Sequence, residues 1–316
     1  MAESTMYLVC GEALFDVFSS PAGNPGNRLT LEAVAGGSPF NVAVGLARLG
    51  TPSALFTGLS GDHFGLQLRQ VLENEGVDPR FLVAFDAPTT LAMVALGANG
   101  SPIYSFRGEG CADRLPRESH LAALDGGIRG IHVGSYSIVI APIADTLLSL
   151  VRRECERRLI SLDPNIRLNV EPNLARWRER VEAIAELAHL IKVSDEDLAL
   201  LYPGEAPEAI AQRWLGERCE LVVLTRGSAG AQLFSRRHGA LYAAAKAVTV
   251  RDTVGAGDTF QAALLSYLHT QGLDTVTALA AVEREQLQAL LTFACQAAAI
   301  TCSRRGPDLP YRYEFA

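Results

Sequence analysis

Asp252-Thr253-Val254-Gly255-Ala256-Gly257-Asp258-Thr259-Phe260 is the stretch from which the rest of the chain is read. It holds two glycines and two aspartates, and an apolar-periodic segment follows at once. Phe260, Ala263, Leu264, Tyr267 and Leu268 recur at i, i+3, i+4, i+7 and i+8, one face of a helix. Gly255, Ala256 and Gly257 therefore lie at a helix N-terminus, where unpaired backbone N–H groups and the positive end of the helix dipole favour an anion. Small residues let a ligand come close to the backbone. Asp258 would then be a base beside an anion-stabilising nest, the layout that phosphoryl transfer to an alcohol requires. From the residues alone, a plain helix start with an acidic first turn carries equal weight.

Composition narrows the setting. The chain has 316 residues, 48% hydrophobic and 20% charged, enough for one large α/β domain or two medium ones with a sizeable core. A formal net charge of −7 argues against a nucleic-acid-binding surface. Lys192 and Lys246 are the only lysines, and neither precedes Ser or Thr, so a Walker-type P-loop is excluded. The six cysteines form no C-x-x-C pair and read as reduced thiols. No basic segment precedes a leader-like apolar run, and no uncharged apolar stretch reaches ~18 residues. The expectation is a cytoplasmic protein with no membrane or nucleic-acid partner.

Upstream, Gly36-Gly37-Ser38-Pro39-Phe40-Asn41 brings a second glycine pair to a helix start. Ser38 is read as the N-cap and Pro39 as the first helical residue, with the helix running to Leu49 and stopping at Gly50. Asn41, in the first turn, can face the same spot as the glycines; a plain loop before a capped helix fits equally well. Residues 7–18 read as one strand, residues 20–27 as a turn, and Arg28 to Val34 as a returning strand. Residues 53–58 form a buried strand, and Asp62 caps a helix over 63–75. Leu91 to Leu96 and Ile103 to Phe106 are strands flanking Asn99-Gly100, a hairpin signal.

From about residue 116 strands and helices alternate. Strands are predicted at 129–133, 159–162, 189–193 and 220–225, helices at 142–157, 174–187, 206–217, 256–270 and 284–302. That rhythm implies an α/β fold, a mainly parallel sheet with helices on both faces. The hairpin-like strands near 14–34 and 91–106 fall outside it and are assigned to a small β lid. Polar clusters follow several strands, where ligands of open α/β sheets bind: Gly134-Ser135, Asp163-Pro164-Asn165-Ile166-Arg167, Lys192-Val193-Ser194-Asp195, and Thr225-Arg226-Gly227-Ser228-Ala229-Gly230. No His pair has zinc-ligand spacing, and no G-x-S-x-G elbow is present.

The two glycine signatures, in this order and separation, resemble those of the ribokinase-like carbohydrate kinases, the phosphofructokinase-B family, over nearly the whole chain. The resemblance implies one ribokinase-like domain over 1–316, with lid strands drawn from about 12–34 and 90–107, using ATP and Mg2+, with K+ as a further candidate ion. It implies that Asp258 is the catalytic base and that Gly255, Ala256 and Gly257 form the anion hole. Asp16, Gly36, Gly37, Asn41, Arg107 and Arg167 become sugar-binding positions. Lys192, Ser194, Thr225, Gly227, Gly230 and Cys295 fall at the nucleotide. Asp252 and the Val254 carbonyl match a monovalent-cation site, and Asp197 stands where the family carries a Glu linked to hydrated magnesium. Cys295 replaces an Asn common in the family. Local features, Gly11-Glu12-Ala13-Leu14-Phe15-Asp16 among them, resemble bacterial fructokinases. The implied reaction is ATP-dependent conversion of D-fructose to fructose 6-phosphate by a homodimer joined through the lid. A 2-keto-3-deoxygluconate kinase is the nearest alternative, and a non-catalytic sugar sensor a more distant one.

Overall fold

Strand β1 (Met6–Cys10) lies inside the larger of two sheets in the computed structural model, which describes residues 5–19, 27, 29–96, 102–121 and 124–315. The predicted turn at 20–27 and the Asn99-Gly100 hairpin tip lie almost wholly outside the described residues. The chain does not continue as one strand through 7–18. It breaks at Gly11 to Ala13 and resumes as β2 (Leu14–Ser19). Gly11 takes φ 144°, and a Cβ there would lie 2.4 Å from Pro39 Cγ, so glycine is what allows the chain to leave the main sheet here.

Strand β2 pairs antiparallel with β3 (Leu31–Gly36), as a returning strand should. Helix α1 (Ser38–Arg48) follows, then β4 (Ser53–Ser60), α2 (His63–Asn74), β5 (Leu82–Phe85), β6 (Leu91–Leu96) and β7 (Pro102–Arg107). Asp62 caps α2 as expected, accepting from the Gly65 amide. The remainder alternates: β8 (Ile128–Gly134), α3 (Ile143–Glu154), β9 (Leu159–Asp163), α4 (Leu174–Ala185), β10 (Leu190–Ser194), α5 (Asp195–Leu201), α6 (Pro207–Trp214) and β11 (Leu221–Thr225). An antiparallel hairpin, β12 (Ala231–Ser235) and β13 (Gly239–Ala243), ends the sheet. Helices α7 (Ala256–Thr270), α8 (Val276–Ala280) and α9 (Arg284–Cys302) complete the chain. The hairpin, β5, α5 and α8 were not anticipated; short elements carry too little periodic pattern to stand out.

The main sheet has the order β13-β12-β11-β10-β9-β8-β1-β4-β5, parallel except for the terminal hairpin. The second sheet has the order β3-β2-β6-β7. Alternation along each main-sheet strand divides the core. Leu8, Ile131, Ile160, Ile191 and Val222 pack on the side of α3, α4 and α6. Tyr7, Val9, Leu159, Leu190 and Val223 pack on the side of α1, α7 and α9. The strand order reverses between β8 and β1, so a crevice opens at the carboxyl ends of those strands.

Candidate active site

Gly255 is the N-cap of α7, at φ 76°, and a Cβ there would lie 2.7 Å from Pro307 Cβ. Only glycine fits that turn, and no side chain caps the helix. The Ala256 amide donates to the Thr253 carbonyl at 3.2 Å, and among the described residues the Gly257 and Asp258 amides are the ones left at the open helix end. Asp258 sits in this first turn and is buried. Its two oxygens have separate partners: Ser38 Oγ donates to Oδ1 at 2.7 Å, and Asn41 Nδ2 to Oδ2 at 2.8 Å. Ser38 was expected to cap α1, but the cap residue is Gly37, and no side-chain capping bond is made. The Ser38 hydroxyl turns to Asp258 instead, where a buried carboxylate offers a stronger, charge-assisted bond.

The glycine pair before α1 is crowded. Gly37 has φ 104°, and a Cβ on it would lie 2.8 Å from the Glu12 carbonyl; one on Gly36 would lie 2.8 Å from Asp16 Oδ2. Asp16, on β2, thus sits against Gly36. Burial raises its carboxyl to about 6, the nearby Arg167 lowers it and Asp258 raises it. Asp16, Gly36, Arg167 and Asp258 therefore share one neighbourhood despite their separation in sequence. Arg167 is exposed, and its Nη1 donates to the Ile166 carbonyl at 3.0 Å. Arg107 is exposed at the end of β7.

Beneath the glycine pair lies a buried carboxyl that the sequence reading left unassigned. Glu12 accepts a bond from Ser137, and burial pushes its carboxyl up to about 7. Asp113 is buried nearby, held by Thr90 Oγ1 and by the Tyr136 hydroxyl at 2.8 Å.

Lys192, Ser194 and Thr225 lie on β10 and β11, with Asp197 and the Gly227 to Gly230 turn just beyond their carboxyl ends. Lys192 Nζ donates to Asp163 Oδ2 at 2.7 Å, and both residues are buried. Ser194 caps α5 by accepting from the Asp197 amide, and Asp197 Oδ1 accepts from the Ile166 amide at 3.0 Å. Thr225 Oγ1 donates to the Val193 carbonyl at 3.4 Å. Gly227 and Gly230 bound a short 3-10 turn with φ 49° and 93°, and a Cβ on Gly230 would lie 2.2 Å from the Ala243 carbonyl. Cys295 is packed in the core, its thiol toward the Ala243 carbonyl, and burial raises that thiol to about 11. Asp252 braces the loop before α7, accepting from the Val254 amide at 3.1 Å and the Gly306 amide at 2.9 Å. Among the described residues no three His, Cys, Asp or Glu side chains converge on a metal-sized site. Nor is any helix among them long and apolar enough to cross a membrane.

A carboxylate held at the open end of a helix, beside a crowded glycine pair and a second carboxylate, can draw a proton from a hydroxyl while the helix amides face an anion. Known proteins resemble this chain in sequence and in fold. Residues 4–312 match the pfkB family carbohydrate kinase model. A fructokinase of Rhizobium leguminosarum bv. trifolii is 35% identical over 90% of this chain and 86% of its own. Among solved structures, a fructokinase from Xylella fastidiosa with bound ATP superposes with TM-score 0.88 at 28% identity, covering 98% of this chain and 96% of its own. A Vibrio cholerae fructokinase in a fructose-, ADP- and calcium-bound form gives 0.82 at 25% identity, covering 99% of each chain. The fold is the ribokinase-like α/β fold. The chain belongs to the pfkB family of carbohydrate kinases.

Proposed function

We propose that this protein transfers the γ-phosphoryl group of ATP to a free sugar, D-fructose, giving fructose 6-phosphate and ADP. The observation that carries the reading is Asp258, buried at the start of α7 with each oxygen held by a residue of α1. Its likeness to fructokinases supports fructose over an acidic sugar. The sugar's terminal hydroxyl takes the place of the Ser38 or Asn41 donor at Asp258, which accepts its proton as the oxygen attacks phosphorus. Amides at 255–257, that of Ala256 once it leaves the Thr253 carbonyl, face the charge that develops on the transferring group. Asp16, with Gly36, Gly37 and Asn41, receives the sugar, and Arg107 and Arg167 approach from the rim. The turn from Thr225 to Gly230 and Ser194 border the nucleotide, and Cys295 packs behind it.

Magnesium would supply charge neutralisation on the phosphates. Asp197 fits it, because Oδ1 is held by the Ile166 amide while Oδ2 has no bond among the described residues and would meet a hydrated ion. Each Asp252 oxygen accepts one backbone amide and keeps a lone pair, so Asp252 and the Val254 carbonyl would together hold a potassium ion there. In this reading the whole chain works as one kinase unit in the cytoplasm, and the second sheet closes over the sugar and excludes water.

ADP release measured across a panel of sugars that includes fructose, ribose and 2-keto-3-deoxygluconate tests the reading, with the product identified by mass and phosphate position. Fructose should give the highest kcat/KM. Asp258→Asn should lower kcat by about 10³-fold or more with sugar affinity little changed, because the base acts in the transition state. Preference for the acidic sugar would replace fructose, and undiminished turnover in the Asp258→Asn variant would remove Asp258 from the mechanism.

A further inference from the structure

His132, Ser161, Asp163 and Lys192 are polar residues in strands whose alternate positions, such as Ile131, Ile160, Leu162 and Ile191, pack on the opposite side of the sheet. Period-two alternation therefore turns all four toward α7. Gln261, one turn beyond Asp258, reaches down to Ser161 Oγ at 2.9 Å, which fixes α7 over this polar row. Lys192 is 4% exposed and Asp163 is 1% exposed. The Lys192 ammonium spends one donor on Asp163 Oδ2, and no second acceptor among the described residues is within hydrogen-bond reach. Asp163 Oδ1 has no partner among those residues. A Cβ on Gly257 would lie 3.1 Å from Lys192 Nζ, so the ammonium rests directly against the first turn of α7, the turn that carries the outward-pointing amides.

A buried ion pair by itself is weak evidence of function, since it need only hold two elements together. Three features take this one further. The ammonium abuts the anion nest and not merely a helix flank. Its hydrogen-bonding capacity is mostly unspent. It is also the cation set among three carboxylates: burial raises the Asp163 carboxyl to about 6, Lys192 lowers it, and Asp197 and Asp258 raise it further. Without that ammonium, an incoming phosphate would meet a corner lined by carboxylates. We infer that Asp163 is a positioning residue, holding the Lys192 ammonium beneath Gly257 so that it joins the nest in receiving the transferring phosphoryl group of a nucleoside triphosphate. Lys192 would touch the phosphoryl oxygens; Asp163 acts only through it. The inference rests on the kinase reading above.

Steady-state kinetics on Lys192→Met, Asp163→Asn and the double variant test it. Lys192→Met should lower kcat about 10²-fold with sugar KM within about threefold, the mark of an interaction made at the transferring group. Asp163→Asn should lower kcat about tenfold in the wild-type background and have no further effect beside Lys192→Met. An equal loss from Asp163→Asn in both backgrounds, or a Lys192→Met kcat within about threefold of wild type, overturns the inference. Lys192→Met leaves a lone charge buried and can fail to fold, whereas the double variant removes both charges. If only the double variant folds, a kcat lowered about 10²-fold supports the inference and one within about threefold overturns it. Should none of the sugars stimulate ADP release by the wild type, the kinase reading itself fails. Calorimetry then decides: the ATP-to-ADP affinity ratio falls about tenfold in the double variant, or stays unchanged and overturns the inference.

Discussion

At Asp258 a single side chain joins two segments that the sequence presents separately. The Gly-Ala-Gly start of α7 and the Gly-Gly start of α1 were each legible as glycine-bearing helix ends. Their meeting was not, because Ser38 reads as an ordinary N-cap until Asp258 is placed 2.7 Å from its hydroxyl. Glu12 was legible only as part of a local resemblance, yet it is buried at the point where the chain leaves the main sheet. Burial holds its carboxyl near 7 against an ordinary 4.5, with Ser135 and Ser137 lowering it and Asp113 raising it. A raised folded-state value means that its contribution to stability is fully present below 4.5 and is lost as pH rises through about 7. His132 and His189, lowered by burial to about 3 and about 4, act with the opposite sign: they add stability as pH rises toward 6.5. The difference between wild type and Glu12→Gln isolates Glu12. The variant's advantage in urea-unfolding free energy should grow between about pH 5 and pH 8, to on the order of 3 kcal/mol. A difference that stays flat with pH would show that Glu12 ionises as freely in the folded protein as in the unfolded chain.

Helices α1 and α7 keep the donors on the base by close packing. Gly45 faces α7 with no room to spare: a Cβ there would lie 2.8 Å from Ala262 Cβ and 2.5 Å from Leu309 Cδ2. Gly45→Val should therefore wedge the helices apart. The expected cost is about 1–3 kcal/mol by urea unfolding, with a fall in kcat as Ser38 and Asn41 draw back from Asp258. Unchanged stability and turnover would mean that the pair tolerates separation. The helix pattern was legible in the sequence because an eleven-residue helix repeats its apolar face. The close approach was not, since a glycine inside a helix reads as a mild defect until its neighbour is known. Strands behave likewise. A single Lys or His in an apolar strand gives a parity, but only the main sheet's order sets that parity toward α7 and not α3.

The second sheet is where the whole molecule remains to be tested. Its edge strand β3 carries Leu31, 44% exposed, and Leu29 just before it is 64% exposed. Two exposed leucines at a sheet edge are what the homodimer expected from the resemblance would cover. Sedimentation should give a dimer at micromolar concentration, and Leu31→Glu should shift it to monomer; a wild-type monomer would remove the dimer from the reading. The sequence by itself determined the α/β rhythm, the two glycine-bearing helix starts and their likeness to pfkB kinases, because turns, caps and periodicity are local and survive in a linear string. Tertiary structure alone decided that Ser38 serves Asp258, that Asp163 holds Lys192 under Gly257, and that Cys295 belongs to the core. Those facts depend on which distant residues share a dry, crowded volume, and burial and close approach are set only once the sheets and helices have packed.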